Sequence, residues 1–349
     1  MKKVLYIFGT RPEAIKMAPV LDALRISGRV DIRLVFTGQH GTLVDDLRDV
    51  LGLVPDYDLS IMREGQSLYD VAEGCLQGLA SVVQEYGPDM ILVQGDTASV
   101  FFASLVAFFE KVSVGHVESG LRTKKKSTPF PEEMFRRLTD VIADLHFAPT
   151  RQAKENLKGE GLNPNHIYVT GNTIVDSVLS MADLGGEPAN KILGTILQDD
   201  GSRLVLLTAH RRESFGDPLR RIFRAVRRLT DEHSDVRILY PVHPNPNVTQ
   251  PARELLGDHP RIHLVDPLSY QDMVLVLRDA VLILTDSGGI QEEAPTFGVP
   301  VLVLREETER PEGLETGRVT LVGTDEEKIV AEGSWILQQG GAPERKKVN

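Results

Sequence analysis

Residues 285–300 read TDSGGIQEEAPTFGVP and follow directly on an apolar run at 280–284. This pattern predicts a buried strand that ends in a tight turn and opens a helix. Ser287, Gly288 and Gly289 would leave several backbone N–H groups unobstructed at the positive end of that helix, which suits a pyrophosphate. Two glutamates follow one turn later, within reach of sugar hydroxyls. The stretch therefore predicts a nucleotide-sugar site, with an ordinary Ser N-cap beside a Gly-rich turn as the alternative.

Short β-branched runs alternate with helix-period segments along most of the chain, which predicts parallel sheets covered by helices on both faces. Strands are predicted at 4–8, 32–37, 90–94, 112–117, 145–148 and 167–170, and then at 204–208, 237–241, 262–265, 281–285, 299–304 and 319–322. A segment at 183–202 with a Gly-Gly-Glu-Pro run and an Asp-Asp-Gly turn separates the halves. The predicted fold class is α/β, with two doubly wound, Rossmann-like domains, 1–182 and 183–349, that face a cleft.

Length, charge and cysteine content limit the functional classes. A chain of 349 residues exceeds what one core usually organises, and its formal net charge of −11 argues against general affinity for nucleic acid or an anionic membrane. The single cysteine, Cys75, excludes an intrachain disulfide and fits a reducing compartment. No segment reaches the ~20 apolar residues that span a bilayer. We therefore expect a soluble, cytoplasmic protein.

Ligands of such sheets bind beyond the carboxyl ends of the strands, and unusual residues of this chain follow predicted strands. They are Arg11, Lys16, Asp96 and Glu118 in the first half, and His210, Arg211 and His243 in the second. Each has a plainer interpretation. Asp96 would cap the next helix, Glu118 would pair with Arg122, and His210 would be a packed histidine. The Phe101, Phe102, Phe108 and Phe109 group follows helical spacing and is expected in the core.

Ten blocks of sequence, in order, carry a family resemblance. They are GTRPEAIKMAP from Gly9, TGQH from Thr37, GDT from Gly95, HVESGLRT from His116, PFPEE from Pro129, GNTIVD from Gly171, HRRESFG from His210, PVHPNPNV from Pro241, TDSGGIQEEAP from Thr285 and ERPEG from Glu309. The chain resembles the non-hydrolysing UDP-N-acetylglucosamine (UDP-GlcNAc) 2-epimerases, which interconvert UDP-GlcNAc and UDP-N-acetylmannosamine (UDP-ManNAc). Those enzymes have a two-domain fold of the glycosyltransferase-B type. The resemblance covers nearly the whole chain.

The resemblance implies separate residues for UDP binding and for proton transfer. The binding set comprises Arg11, Lys16, Ser287, Gly288, Gly289, Glu293 and Arg310. The acid/base carboxylates correspond to Asp96, Glu118 and Glu132, and His210 is assigned to the departing diphosphate. Some relatives bind a second UDP-GlcNAc as an activator. Gln39, Arg211 and His243 match that possible allosteric site, whereas Thr42 and Gly65 depart from it.

The reaction implied by the resemblance proceeds through the leaving group. UDP departs from carbon 1, a carboxylate removes the hydrogen of carbon 2 to give 2-acetamidoglucal, and UDP returns as a proton reaches the opposite face. No cofactor is required, because fixed cations and helix dipoles neutralise the diphosphate. No metal is expected either, since His40, His116 and His243 lack metal-ligand spacing.

Other functions stay open on the sequence alone. Phe135 and residues 124–127 depart from the family pattern beside the expected sugar pocket, which leaves room for a modified UDP-N-acetyl sugar. A hydrolysing epimerase, a glycosyltransferase of the same architecture and a non-catalytic nucleotide-sugar sensor are the further alternatives. UDP-GlcNAc and UDP are the expected partners, with a homodimer by family habit, and neither nucleic acid nor membrane is expected.

Overall fold

The structure is a computed structural model that describes residues 1–38, 51–61, 63, 65–123, 125–127, 129–198, 201–308 and 317–340. The chain divides into two compact units, residues 1–177 and 178–349. This division and the boundary predicted at residue 182 both fall within the helix Ile174–Leu184. The segment predicted to connect the domains, 183–202, contains a short helix of its own, Lys191–Leu197.

The first unit is built on parallel strands with helices between them. Its described strands are β1 Lys2–Phe8, β2 Val30–Phe36, β3 Tyr57–Asp58, β4 Met90–Gln94, β5 Ser113–Val117, β6 Leu145–Ala148 and β7 Ile167–Val169. Its described helices are α1 Arg11–Ser27, α2 Leu68–Tyr86, α3 Ala98–Phe109, α4 Glu132–Ile142, α5 Arg151–Gly159 and the start of α6 Ile174–Leu184. The sheet has the order β3-β2-β1-β4-β5-β6-β7, so the strand order reverses between β1 and β4.

The second unit repeats this plan. Its described strands are β8 Arg203–Thr208, β9 Val236–Pro241, β10 Ile262–Val265, β11 Leu282–Thr285, β12 Val301–Val303 and β13 Val319–Leu321. Its further described helices are α7 Lys191–Leu197, α8 Asp217–Glu232, α9 Pro246–Leu256, α10 Tyr270–Asp279, α11 Gly288–Glu293 and α12 Glu326–Gln338. The parallel sheet has the order β10-β9-β8-β11-β12-β13, which reverses between β8 and β11. The predicted α/β class is confirmed.

Each reversal point defines a place where a ligand can enter. Where neighbouring strands send their connections to opposite faces of a sheet, the two loops separate and leave a crevice at the carboxyl ends. In the first unit this point lies after Phe8 and Gln94, and in the second after Thr208 and Thr285. The four segments that follow these strands hold most of the residues singled out from the sequence.

The predicted strands occur with ends within two residues of those expected, because a strand buried on both faces reads as a continuous apolar run. The central strands are buried along most of their length; Leu5 and Leu206 are 0% exposed. Strand β3 was not predicted, because its two residues are too few to show an apolar run or an alternation of apolar and polar residues. Among the described residues, no helix has the length and apolarity needed to cross a membrane.

The expectation that all four phenylalanines of α3 lie in the core was wrong. Phe102 packs against the core of the first unit, whereas Phe108 and Phe109 are 64% and 63% exposed. The reason is that α3 is apolar around most of its circumference, while the sheet covers only one side of it. Phe108 and Phe109, at the carboxyl end of α3, are therefore left exposed.

Candidate active site

Asp96 follows β4 through a turn at Gly95, whose φ of +82° suits glycine. Its carboxylate forms an ion pair with Arg136 of α4. The interpretation of Asp96 as a helix cap was wrong, because Thr97 caps α3 by accepting a hydrogen bond from the Val100 amide at 3.5 Å. Asp96 is thus held by a cation, with 29% of its side chain still exposed. The carboxylate is therefore partly accessible to a bound molecule.

Glu118 follows β5 and is nearly buried. Its Oε2 lies 2.5 Å from Lys16 Nζ, and both side chains are 10% exposed. Gln94 Nε2 donates to the same oxygen at 2.9 Å. The backbone of Glu118 has a φ of +64°, a left-handed conformation that is uncommon outside glycine and is found at functional sites. The predicted pairing with Arg122 was wrong.

Arg122 instead belongs to a buried network centred on Asp140 of α4. Asp140 accepts from Arg122 Nη2 at 2.8 Å and from the Gly120 amide at 3.2 Å. Its other oxygen lies 2.6 Å from His116 Nδ1, while His116 Nε2 donates to the Gly95 carbonyl at 2.8 Å. Burial acts to raise the pKa of Asp140, but His116 and Arg122 outweigh it, so the net shift is downward. The network ties the turns beside Asp96 and Glu118 to one helix.

That helix, α4, presents three functional groups at intervals of four residues. Glu132 lies in its first turn, Arg136 pairs with Asp96, and Asp140 anchors the turn that follows Glu118. Residues spaced four apart lie on one face of an α-helix. Glu132 was predicted from the sequence, whereas Arg136 and Asp140 were not, although their spacing of four and eight residues from Glu132 was a detectable signal. One face of α4 therefore carries Glu132 itself, the cation that pairs with Asp96, and the carboxylate that holds the turn after Glu118.

The turn after β1 is held by a second buried carboxyl, that of Glu13. The Gly9 amide donates to Glu13 Oε2 at 2.6 Å. Burial raises the pKa of Glu13 to about 7, against the opposing hydrogen bonds from Gly9, Thr97 and Thr10. Arg11, in the same turn, is half-buried and forms no ion pair with any described residue. Its guanidinium is therefore available to an anion.

In the second unit, Asp286 organises the turn after β8. It is fully buried, and its Oδ2 accepts from the backbone amides of His210 at 2.7 Å and Arg211 at 2.8 Å. Asp286 was not predicted as a site residue, although it lies between the strand and the Ser-Gly-Gly turn. A buried aspartate at a strand end, flanked by polar loops, was the available signal. The hydrogen bonds to Asp286 fix the backbone position from which the His210 side chain projects.

The His210 imidazole stacks on that of His243, with ring centroids 5.5 Å apart and planes inclined by 10°. Burial lowers the pKa of His210 below its ordinary value; His243 and Arg211 add to the decrease and Asp286 opposes it. The structure thus brings together the predicted residues His210, Arg211 and His243. The side chain of His210 is 37% exposed, so it remains accessible to a ligand.

The Ser-Gly-Gly turn opens α11 as predicted. Ser287 occupies the N-cap position, but its side chain makes no capping hydrogen bond, and its amide donates to Thr285 Oγ1 at 2.9 Å. Gly289 is exposed, and a Cβ there would have no neighbour nearer than 3.8 Å. The plain Ser-cap alternative is therefore wrong, and the helix start leaves amides accessible. Glu293, at the end of α11, is half-buried.

Some predicted residues lie outside the described residues, namely Gln39 and Arg310. The assignment of Arg211 and His243 to a second nucleotide-sugar site stays a prediction. In the part of the chain that the structure describes, no group of His, Cys, Asp and Glu is arranged to hold a metal ion.

Comparisons with known proteins show which proteins this chain is similar to. Residues 22–348 match the sequence model of the family described as UDP-N-acetylglucosamine 2-epimerase. A Bacillus subtilis protein with the name UDP-N-acetylglucosamine 2-epimerase is 47% identical over 94% of this chain and 85% of its own length. The S. aureus protein MnaA, solved with UDP, is 44% identical with a TM-score of 0.85, over 97% of this chain and 88% of that one. A UDP-GlcNAc 2-epimerase from Neisseria meningitidis, solved bound to UDP-GlcNAc, is 39% identical with a TM-score of 0.87. The match covers 97% of this chain and 92% of that one.

Proposed function

Because the chain belongs to the UDP-N-acetylglucosamine 2-epimerase family, we propose that it interconverts UDP-GlcNAc and UDP-ManNAc by inverting carbon 2. The observation that carries this proposal is the setting of Asp96, Glu118 and Glu132. Two of them follow adjacent strands, and the third begins the helix that holds both turns. A glycosyltransferase of the same architecture has no need for such a set of linked acids.

The proposed route is elimination and re-addition. Carbon 2 bears a hydrogen that is barely acidic until the carbon 1 bond to UDP weakens and positive character develops beside it. A carboxylate can then take the proton and leave 2-acetamidoglucal, and return of UDP with a proton delivered to the other face gives the epimer. Asp96, Glu118 and Glu132 are the proposed proton-transfer groups. Glu118 Oε2 lies 2.5 Å from Lys16 Nζ, and both side chains are 10% exposed.

Departure of UDP places negative charge on the diphosphate, and the second unit offers groups that stabilise it. We assign the pyrophosphate to the amides of Ser287, Gly288 and Gly289, and the ribose hydroxyls to Glu293. His210 is assigned to the departing oxygen. Arg11, which is half-buried and has no ion-pair partner among the described residues, is a further cation that we assign to the nucleotide phosphates. The proposal needs neither metal nor cofactor for charge stabilisation.

The alternative of a modified sugar loses part of its support in the structure. Phe135 stacks on Phe101 with ring centroids 5.2 Å apart and packs against the core of the first unit. Its departure from the family pattern is thus accounted for by core packing. Residues 125–127 are exposed. UDP-GlcNAc is therefore the substrate we propose, and UDP-ManNAc its product.

Deuterium exchange tests this function. Purified protein incubated with UDP-GlcNAc in deuterium oxide is expected to give UDP-ManNAc, with solvent deuterium at carbon 2 of both sugars, as followed by proton NMR. The physical reason is that the proton removed from carbon 2 exchanges with solvent before re-addition. Stoichiometric release of UDP would indicate hydrolysis instead. Turnover only with an acceptor would indicate glycosyl transfer, and binding without exchange would indicate a sensor.

We also propose a homodimer. Helices α3 and α4 pack together, and each leaves large apolar side chains exposed. These are Phe108 at 64%, Phe109 at 63%, Leu138 at 40% and Val141 at 71%. Covering such a surface with a second copy removes apolar area from water. Light scattering of the purified protein should give twice the mass of one chain; a monomer at micromolar concentration would contradict the proposal.

The proposed location is the cytoplasm. Cys75 is a free, buried cysteine, and burial raises the pKa of its thiol to about 12, so it is an unreactive thiol compatible with a reducing compartment. Fractionation of cells that produce the tagged chain should recover it with cytosolic marker enzymes. Recovery with membrane or secreted markers would contradict this location.

A further inference from the structure

The two carboxylate oxygens of Asp286 have different surroundings. Oδ2 accepts two backbone hydrogen bonds, from His210 and Arg211. Oδ1 is buried and has no hydrogen-bond partner among the described residues. The His210 imidazole lies close to it, with Nδ1 3.5 Å away. This separation is longer than an ordinary N–H···O hydrogen bond.

A buried carboxylate oxygen without a donor is unfavourable, so a donor close to it is expected to be used at some stage of the protein's cycle. The buried hydroxyl of Tyr240 is not that donor, because it already donates to the Ala209 carbonyl at 2.6 Å. Hydrogen bonds at catalytic sites are often long without ligand and shorten when the substrate is bound. Nδ1 has to approach Oδ1 by only about 0.3 Å to reach the range of an ordinary N–H···O hydrogen bond.

We propose that Asp286 is a positioning residue that holds His210 with its proton on Nδ1 and directs Nε2 towards the ligand. The two amide bonds to Oδ2 fix the carboxylate, and Oδ1 selects the tautomer. When a diphosphate binds, Asp286 stabilises the imidazolium that forms as His210 takes a second proton from solvent. Nε2–H then donates to a diphosphate oxygen. The last step rests on the proposed function, whereas the tautomer itself does not.

The groups around His210 determine the sign of the pH dependence. Asp286 favours the imidazolium, while His243 on the ring face and Arg211 beside it disfavour it. A bound diphosphate adds negative charge and raises the pKa of His210 above that of the free protein. Because the complex then binds protons more tightly than the free protein, UDP affinity is highest at low pH. It falls as the pH rises through the pKa of His210 in the complex.

The test is nitrogen-15 NMR of the imidazole rings in the nucleotide-free protein and with UDP as the probe. The chain has nine histidines, and His210 is assigned as the signal lost in His210→Gln. Neutral His210 is expected to carry its proton on Nδ1. In Asp286→Asn the amide can still accept the backbone hydrogen bonds through its oxygen, but its NH2 group replaces Oδ1 and donates to Nδ1. The tautomer is therefore expected to invert, and turnover to fall by up to about 10⁴-fold, as for a catalytic imidazole held in the wrong tautomer.

The matched control is Tyr240→Phe, which removes a buried hydrogen bond to the same turn without touching the imidazole. It is expected to leave the tautomer of His210 unchanged. A proton on Nε2 of neutral His210 in the unaltered protein would overturn the proposal even if Asp286→Asn failed to fold. So would an identical tautomer in Asp286→Asn, or an inversion in Tyr240→Phe. If the unaltered protein has its His210 proton on Nδ1 but shows no deuterium exchange at carbon 2, the proposed function is refuted and the positioning role of Asp286 is not.

Discussion

Asp96→Asn is expected to lower the turnover number about 10²- to 10⁴-fold while UDP affinity stays within about twofold, because loss of a general acid or base has this range of effects. Asn has the shape of Asp and its oxygen can still accept from Arg136, so the turn after β4 should keep its form. It cannot take a proton at neutral pH. UDP binding is assigned to Arg11 and to residues of the second unit, and the substitution changes none of these groups. Turnover is measured by NMR and UDP affinity by calorimetry.

Asp89→Asn is the matched control for this substitution. Asp89 lies at the opposite end of β4 and pairs with Lys2 at 2.6 Å in an exposed setting. Exposed ion pairs contribute little to stability. We expect turnover within about twofold of the unaltered protein. An equal loss of turnover and UDP affinity in Asp96→Asn would contradict the proposed separation between the carboxylates that transfer protons and the groups that bind the nucleotide.

The strands of this protein can be predicted from the sequence because their signal is local. Val4 to Phe8 is one apolar run, and burial on both faces of a parallel sheet requires such a run. The positions of the acids at strand ends follow from the same rule. The two-residue strand β3 carries no such pattern, and its place in the sheet is set by its pairing with Val35 and Phe36.

The partners of the acids cannot be predicted in this way, since they come from distant parts of the chain. Glu118 is paired with Lys16, 102 residues earlier, and not with the nearby Arg122. Asp96 is paired with Arg136, 40 residues later. Local reasoning favours neighbours and caps because it lacks the tertiary positions of these cations. The functional state of each carboxylate depends on those cations, so the sequence identifies the acids but not their charge environment.

Substitutions in the Lys16–Glu118 pair should distinguish the contribution of Glu118 to folding stability from its contribution to turnover. Glu118→Gln leaves Lys16 charged and nearly buried, and Lys16→Met leaves the carboxylate without its cation. Each substitution is expected to lower the free energy of unfolding by about 3–5 kcal/mol, as measured by urea unfolding followed by circular dichroism. The double variant removes both charges and should recover most of that loss.

Turnover should respond differently, because Glu118 is also a proposed proton-transfer group. Glu118→Gln is expected to lose about 10²- to 10⁴-fold in turnover, and the double variant should not regain it although its stability returns. If the losses in stability simply add in the double variant, the two side chains are not coupled and the contact at 2.5 Å is not the source of their stability. If turnover returns together with stability, Glu118 acts only through folding. A stable double variant without turnover is the outcome that assigns proton transfer to this carboxylate.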